Sequence, residues 1–250
     1  MKWSLPATAL ALILINTGAA RADPRLDEVV YSPYIQNGVA ELEVRNAQAL
    51  GGPIGGSATT VLEAEYGLND RFSLALVGTV ARDPDRSLGL YGVGLEGIAY
   101  LGQIPGVGVD TSVYLEYTKG LRGQDDVLES KLLFAKTRGR FQGLLNLILE
   151  RPIGVPAGQG FGSYGYAASA TWETVGALRL GAEAVGDLGD DHAFLGRQGA
   201  YVGPQIKWEG HIGSSKYDLG IDAGWLAAVG TDRKEASSQI RIALELERRF

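Results

Sequence analysis

Ile240-Arg241-Ile242-Ala243-Leu244-Glu245-Leu246-Glu247-Arg248-Arg249-Phe250 alternates apolar and polar side chains almost without a break. A period of two sends Ile240, Ile242, Leu244 and Leu246 to one face of a strand and Arg241, Glu245 and Glu247 to the other. One face therefore meets an apolar phase and the other a polar one. A strand of a soluble sandwich also alternates, so the remaining segments have to decide what the apolar phase is.

Working upstream, the same period recurs in about twelve segments of roughly ten residues, the length of a tilted strand that crosses a bilayer. The first, Val39 to Asn46, sets Ala40, Leu42 and Val44 against Glu41, Glu43 and Arg45. The second sets Leu62, Ala64 and Tyr66 against Glu63 and Glu65, and Gly67-Leu68-Asn69-Asp70 turns it into a third led by Phe72, Leu74 and Leu76. A fourth spans Leu88 to Tyr100 and carries Glu96; a fifth opposes Val113, Leu115 and Tyr117 to Asp110, Ser112 and Glu116. Leu132, Phe134, Phe141, Leu145, Leu147 and Leu149 then face one way, with Glu129, Lys131, Gln142, Asn146 and Glu150 opposite. Tyr164 to Trp172, the Arg179/Glu183/Asp187 segment, Ala200 to Glu209 and the Asp218/Asp222 segment complete the series before the terminal strand. The expected fold is all-β, a closed antiparallel transmembrane β-barrel of about twelve strands, residues 38–250. Pro204 lacks a ladder donor, and a bulge or an early strand end is expected there.

The aromatic residues argue for lipid as the apolar phase. Tyr66 and Phe72 flank one short turn, Tyr100 precedes another, and Phe134 and Phe141 flank a third. Trp172 precedes the next, Trp208 and Tyr217 flank the last, and Phe250 follows the terminal strand. Aromatics at every second junction make the girdle of a bilayer interface, whereas a soluble lipocalin-like barrel has no such rim. Tyr91, Tyr117, Tyr164, Tyr201 and Trp225 sketch an opposite, less regular belt. The aromatic-rimmed turns are about three to six residues long and the other junctions about ten, the asymmetry of periplasmic turns and outer loops.

Residues 1–22 have the form of an export signal: Lys2, an apolar run from Leu5 to Ile15, and Ala20-Arg21-Ala22 as a cleavage site. Residues 23–37 follow as a periplasmic or lumen-packed segment. Losing the signal removes Lys2 and Arg21 and no acid, so the formal charge falls from −6 to about −8. That balance speaks against a nucleic-acid partner. With no cysteine there is neither a disulfide framework nor thiol chemistry.

The terminal stretch Ile240–Phe250 resembles the closing strand of bacterial outer-membrane β-barrels. The resemblance implies outer-membrane lipid and the barrel-assembly machinery, which reads that strand, as partners. Glu65-Tyr66-Gly67-Leu68-Asn69-Asp70-Arg71-Phe72-Ser73-Leu74 is similar to a hairpin of small transporter-like barrels associated with aromatic-compound degradation clusters. Tyr31-Ser32-Pro33-Tyr34 resembles their entry segment. This resemblance implies passive transport and names no solute.

Other motifs are weak. Gly92-Val93-Gly94-Leu95-Glu96-Gly97 matches a dinucleotide fingerprint, but it lies inside an alternating segment with no helix to receive a phosphate. His192, beside Asp190 and Asp191, and His211, near Ser214 and Ser215, sit at junctions and lack the strand-borne His–Ser pattern of barrel lipases. Asp83-Pro84-Asp85 and Gly123-Gln124-Asp125-Asp126 are solvated loop acids with at most weak calcium affinity. No catalytic set, cofactor or metal centre is expected.

The polar faces decide the lumen. They carry Glu63, Glu65, Asp110, Glu116, Glu129, Glu150, Glu183, Asp218, Asp222 and Glu245, with Glu41, Glu43, Glu96, Asp187, Glu209 and Glu247 of the same parity. Against these stand Lys131, Arg179 and Arg241, with Arg45, Lys207, Lys216 and Arg249. A charge at the bilayer midplane costs about 2–4 kcal/mol, so these groups face inward. Their acid excess favours cations in a water-filled lumen. The leading expectation is a narrow channel or passive facilitator; the others are a non-conducting scaffold of an envelope complex and, third, a lipid-modifying enzyme. No long segment is in sight to plug the lumen.

Overall fold

The computed structural model describes residues 25–84, 87–156, 160–196, 199–212 and 216–250. The signal reading of residues 1–22 falls outside these, as do Asp23, Asp85, Ser214 and Ser215. Twelve strands follow in sequence: β1 (Val39–Leu50), β2 (Ala58–Asn69), β3 (Phe72–Arg82), β4 (Gly89–Ile104), β5 (Val109–Gly120) and β6 (Asp126–Arg138) form the first half. The second half is β7 (Phe141–Ile153), β8 (Ser163–Glu173), β9 (Leu178–Asp190), β10 (Gly199–His211), β11 (Tyr217–Gly230) and β12 (Ser238–Arg249). Each strand is antiparallel to its neighbours and β12 returns to β1, from Val39 opposite Arg249 to Leu50 opposite Ser238. The closed ring leaves no strand edge, which hydrocarbon surroundings require because an unpaired backbone group there costs several kcal/mol.

Period two becomes inside and outside. On β3, Ser73, Ala75 and Val77 are buried, while Leu74 and Leu76 between them are 48 % and 66 % exposed. Leu42, Val44, Leu62, Leu95, Leu115, Leu147, Ile206, Ile221, Ile242 and Leu244 are likewise exposed. That continuous apolar exterior matches acyl chains and not water. Tyr66, Phe72, Phe141, Trp172, Tyr217 and Phe250 are exposed at the edge with the short turns, and Phe134 and Trp208 share their outward parity. Tyr201 departs from the expected second belt: it is 1 % exposed and packs inside, sharing parity with Gln205 and Lys207.

Turns 70–71, 105–108, 139–140, 174–177 and 212–216 lie at one edge; junctions 51–57, 83–88, 121–125, 154–162, 191–198 and 231–237 lie at the other. The second set is shorter than the expected ten or so residues because the strands run on. β1 continues through Ala47-Gln48-Ala49 to Leu50, where small residues end the alternation without ending the pairing with β12. Pro204 also corrects its expectation. β10 neither bulges nor stops there: Val202 faces Ala227 and Gln205 faces Gly224 in one register, and the ladder to β11 simply omits Gly203 and Pro204. Gly203 permits this, since a Cβ there would lie 2.0 Å from the Trp225 carbonyl oxygen. The neighbouring backbone crosses where the donor is missing.

Residues 25–37 enter the lumen instead of leaving it free. The Phe250 N–H donates to the Gly38 carbonyl at 2.9 Å at the short-turn edge, and from there the chain traces back up the interior to Arg25. Leu26 and Val30 pack with Ala47, Ala167, Val185, Tyr201, Leu226 and Ala228, an apolar patch on the inner wall.

Candidate functional site

The interior divides into two walls. Midway along β9–β12 two acids are matched by two bases. Arg241 Nε lies 3.3 Å from Glu183 and Lys207 Nζ 2.8 Å from Asp222. The Gln205 amide donates to Glu183 at 3.1 Å and to Asp222 at 2.8 Å.

From β12 across β1 to β7 the register aligns carboxylates. Glu247 faces Glu41, and Glu41 faces Glu65. Glu65 and Glu96 both face Ala75 from either side of β3. Glu96 then faces Glu116, Glu116 faces Glu129, and Glu129 faces Glu150. A second short row runs Glu245, Glu43, Glu63. Strands of a barrel are tilted, so a row perpendicular to them winds upward. This one climbs from the short-turn edge, where Glu41 lies near the start of β1, to the long-loop edge, where Glu150 lies near the end of β7. Like charges directly opposite each other are each destabilising by about 0.2–1 kcal/mol, so the alignment has to be compensated.

Compensation is partial. Arg45 Nη1 reaches Glu43 at 2.6 Å and Glu63 at 2.5 Å. Lys131 Nζ sits 2.6 Å from Glu28 and 3.0 Å from Glu129. The lysine also lies over the rings of Tyr31 and Tyr114, 4.6 and 4.7 Å from their centroids. Glu116 has hydroxyl donors, Tyr114 at 2.5 Å and Thr118, and fits because Gly94, opposite Thr118 on β4, has no side chain; a Cβ there would meet the Glu116 carboxylate at 2.6 Å. Gly92 and Gly94 of the fingerprint-like motif thus make room in the lumen, within β4 and with no helix after them.

The N-terminal segment is fastened to this wall at its middle. Asn146 on β7 pairs with Tyr31 as a strand neighbour would: the Tyr31 N–H donates to Oδ1 at 2.7 Å, and Nδ2 donates to the Tyr31 carbonyl at 3.0 Å. The Tyr31 hydroxyl lies 3.2 Å from Glu63 and 3.3 Å from Glu96, and it accepts from Arg45 Nη2 at 2.8 Å. Lower down, Ser112 donates to the Pro33 carbonyl at 2.7 Å and the Tyr34 hydroxyl to Asp110 at 2.9 Å. Tyr31 and Ile35 pack on Ile98, Tyr114 and Leu133, with the Tyr31 and Tyr114 rings 4.9 Å apart. Above that floor a cavity of about 460 Å³ remains between the segment and β2–β7. Asp27, Glu28, Glu116, Asp125, Glu129 and Glu150 line it, against Arg45 and Lys131.

Of the lumen residues expected from sequence, Glu63, Glu65, Glu116, Glu129, Lys131 and Glu150 gather on the acidic wall, and Glu183, Asp222 and Arg241 on the balanced one. Glu245 joins Glu43 in the short row. Arg179 sits lower, donating to Thr171 at 3.0 Å, and Asp218 lies beside His211 near the β10–β11 turn. Lys216 falls before β11, in the turn. Sequence reading missed Tyr31, Tyr114 and Asn146 as organisers of the lumen. Outside it, Asp190 accepts from the N–H groups of His192 and Ala193, both at 2.9 Å, and His192 stacks on Phe161, so these residues shape a loop.

Comparison with known proteins gives fold and little else. No family model matches the chain, and no curated protein is similar to it. Among solved structures it resembles the COG4313 outer membrane channel from Pseudomonas putida F1, at 13 % identity and a TM-score of 0.56, over 92 % of this chain and 100 % of that one. It also resembles the KdgM porin solved with disordered oligogalacturonate, at 10 % identity and a TM-score of 0.51, over 84 % of this chain and 99 % of that one. The fold is that of a bacterial outer-membrane β-barrel.

Proposed function

We propose that the chain is a narrow outer-membrane channel for small solutes, biased toward cations and constricted by its own residues 25–37. The observation that carries this reading is the acid-lined cavity of about 460 Å³ that remains between the segment and β2–β7. Twelve strands are intermediate between barrels filled by side chains and wide porins. The fold shared with an outer membrane channel and a porin supports the general role. Delivery by a cleaved signal within residues 1–22, and recognition of β12 by the assembly machinery, belong to the same proposal. A closed scaffold is the competing reading, favoured by the Tyr31–Tyr114 floor.

Planar-bilayer recording across a salt gradient tests both. Discrete conductance steps with a reversal potential displaced toward the cation value are expected. A silent membrane supports the scaffold, and a preference for anions overturns the acidic-lumen reading.

A further inference from the structure

Where the climbing row crosses β3, the only side chain between Glu65 and Glu96 is Ala75. Its single methyl leaves the space above it to the two carboxyl groups, and Glu63 joins them from the next inward position on β2. One oxygen from each of Glu63, Glu65 and Glu96 lies within 4.8 Å of the others. This group differs from the other two carboxylate triads of the lumen. Glu28 and Glu129 share the Lys131 ammonium while Glu150 faces Arg25 and accepts from Ser163, and Glu41, Glu43 and Glu245 leave no buried oxygen unpartnered among the described residues. Here, by contrast, Glu96 is 1 % exposed and its Oε1 has no hydrogen-bond partner. Ser73, two residues before Ala75 on β3, is 2 % exposed, and its hydroxyl lies against the Glu65 carboxylate.

Donors are too few for the charge. The Tyr31 hydroxyl has one proton to share between Glu63 and Glu96, and the Tyr114 hydroxyl has one to share between Glu96 and Glu116. Arg45 supplies one positive charge to Glu43 and Glu63 together. Buried polar atoms of native proteins are nearly always satisfied, and the unpartnered Glu96 Oε1 within this group of three carboxylates is an oxygen that a bound cation would satisfy. All the available donors are oxygens, the set that suits a hard divalent ion and discriminates against softer metals.

We propose that Glu63, Glu65, Glu96 and the Ser73 hydroxyl form a calcium-class divalent cation site in the barrel wall. A bound ion there neutralises two of the surplus charges, and through the Glu63 and Glu96 oxygens shared with Tyr31 it braces the N-terminal segment. The site deepens the cation reading of the lumen, yet its test does not depend on conduction.

Calorimetric titration of calcium chloride into the full chain, folded in detergent and freed of metal by a chelator, is the measurement. The expected result is saturable binding with an affinity on the order of 10⁻⁴ M. Glu96→Gln should lower the number of ions bound by one, and Ser73→Ala should weaken binding about 10-fold. Asp191→Asn, remote in an outer loop, should leave the isotherm unchanged. Heat-dependent mobility in SDS gels verifies that each variant has folded, and Glu65→Gln repeats the test should Glu96→Gln not fold. No calcium bound by the parent chain, or equal stoichiometry in folded Glu96→Gln or Glu65→Gln, overturns the site. A silent bilayer together with calcium binding overturns the channel and leaves the site standing.

Discussion

On β9–β12, Glu183 and Asp222 meet Arg241 and Lys207 with Gln205 between them; on β1–β7, six carboxylates climb the wall, with Arg45, Lys131 and Arg25 ion-paired to it or to its flanking row. Both walls come from the same alternation, and both keep charge away from lipid. They differ in whether charge is closed on itself or left over. The balanced side is adjoined by the apolar patch that holds Leu26 and Val30, and the acidic side borders the open cavity. The acidic wall thus both anchors the constriction, through Tyr31, Pro33 and Glu28, and borders the space left for solute.

The largest effect should come from removing the side chain that pins residues 25–37 to the acidic wall. Tyr31→Ala deletes the ring on the floor and the hydroxyl shared by Glu63, Glu96 and Arg45. Single-channel conductance is expected to rise several-fold, with the fold intact by heat-dependent gel mobility. Unchanged conductance would place the constriction elsewhere and detach residues 25–37 from permeation.

Next in size is a break in the balanced wall. Arg241→Met leaves Glu183 buried without its cation and removes the donor to the Arg25 carbonyl. Losing one partner of a buried pair typically costs about 3–5 kcal/mol, to be read from denaturant unfolding in detergent. On the acidic wall the same experiment should change sign. Glu116→Gln removes a charge flanked in register by Glu96 and Glu129, so stability should hold or rise by about 0.2–1 kcal/mol, while the reversal potential moves toward zero. If Arg241→Met were neutral and Glu116→Gln costly, the contrast between the walls would be wrong.

The strands and their faces were legible because side chains alternate locally: Leu74 and Leu76 outward and Ala75 inward can be read from three letters. The alignment of glutamates was not, since parity assigns a face but the opposing residue depends on turn length and barrel tilt. Inner apolar positions hid in runs such as Leu147-Ile148-Leu149, where both faces are apolar and Ile148 looks no different from its neighbours. The lumen segment was hardest. Tyr31 and Asn146 are 115 residues apart, and no local period records such a contact. Sequence reading left residues 23–37 as either periplasmic or lumen-packed, with no partner to name.

The smallest expected effect lies at the rim above the packed side, and it separates loop order from lumen charge. Asp191 accepts from the Gly162 N–H at 2.9 Å, from the Tyr164 hydroxyl at 2.8 Å and from Arg151 at 2.8 Å, tying the β9–β10 junction to β7 and β8. The Gly162 N–H, then the Tyr164 hydroxyl, stabilise its charged form and hold its carboxyl below the usual range. A carboxyl depressed on folding contributes order that is complete above its ordinary value, about 3.9, and is lost as pH falls through the lowered one. Protection of the Gly162 amide from hydrogen exchange should therefore persist down to mildly acidic pH and fade only below the ordinary carboxylate range. In Asp191→Asn that protection should be weaker and independent of pH, with ion selectivity unaltered because the residue faces solvent outside the lumen. A selectivity change in this variant would mean that the rim, and not the glutamate row, sets the charge that ions meet first.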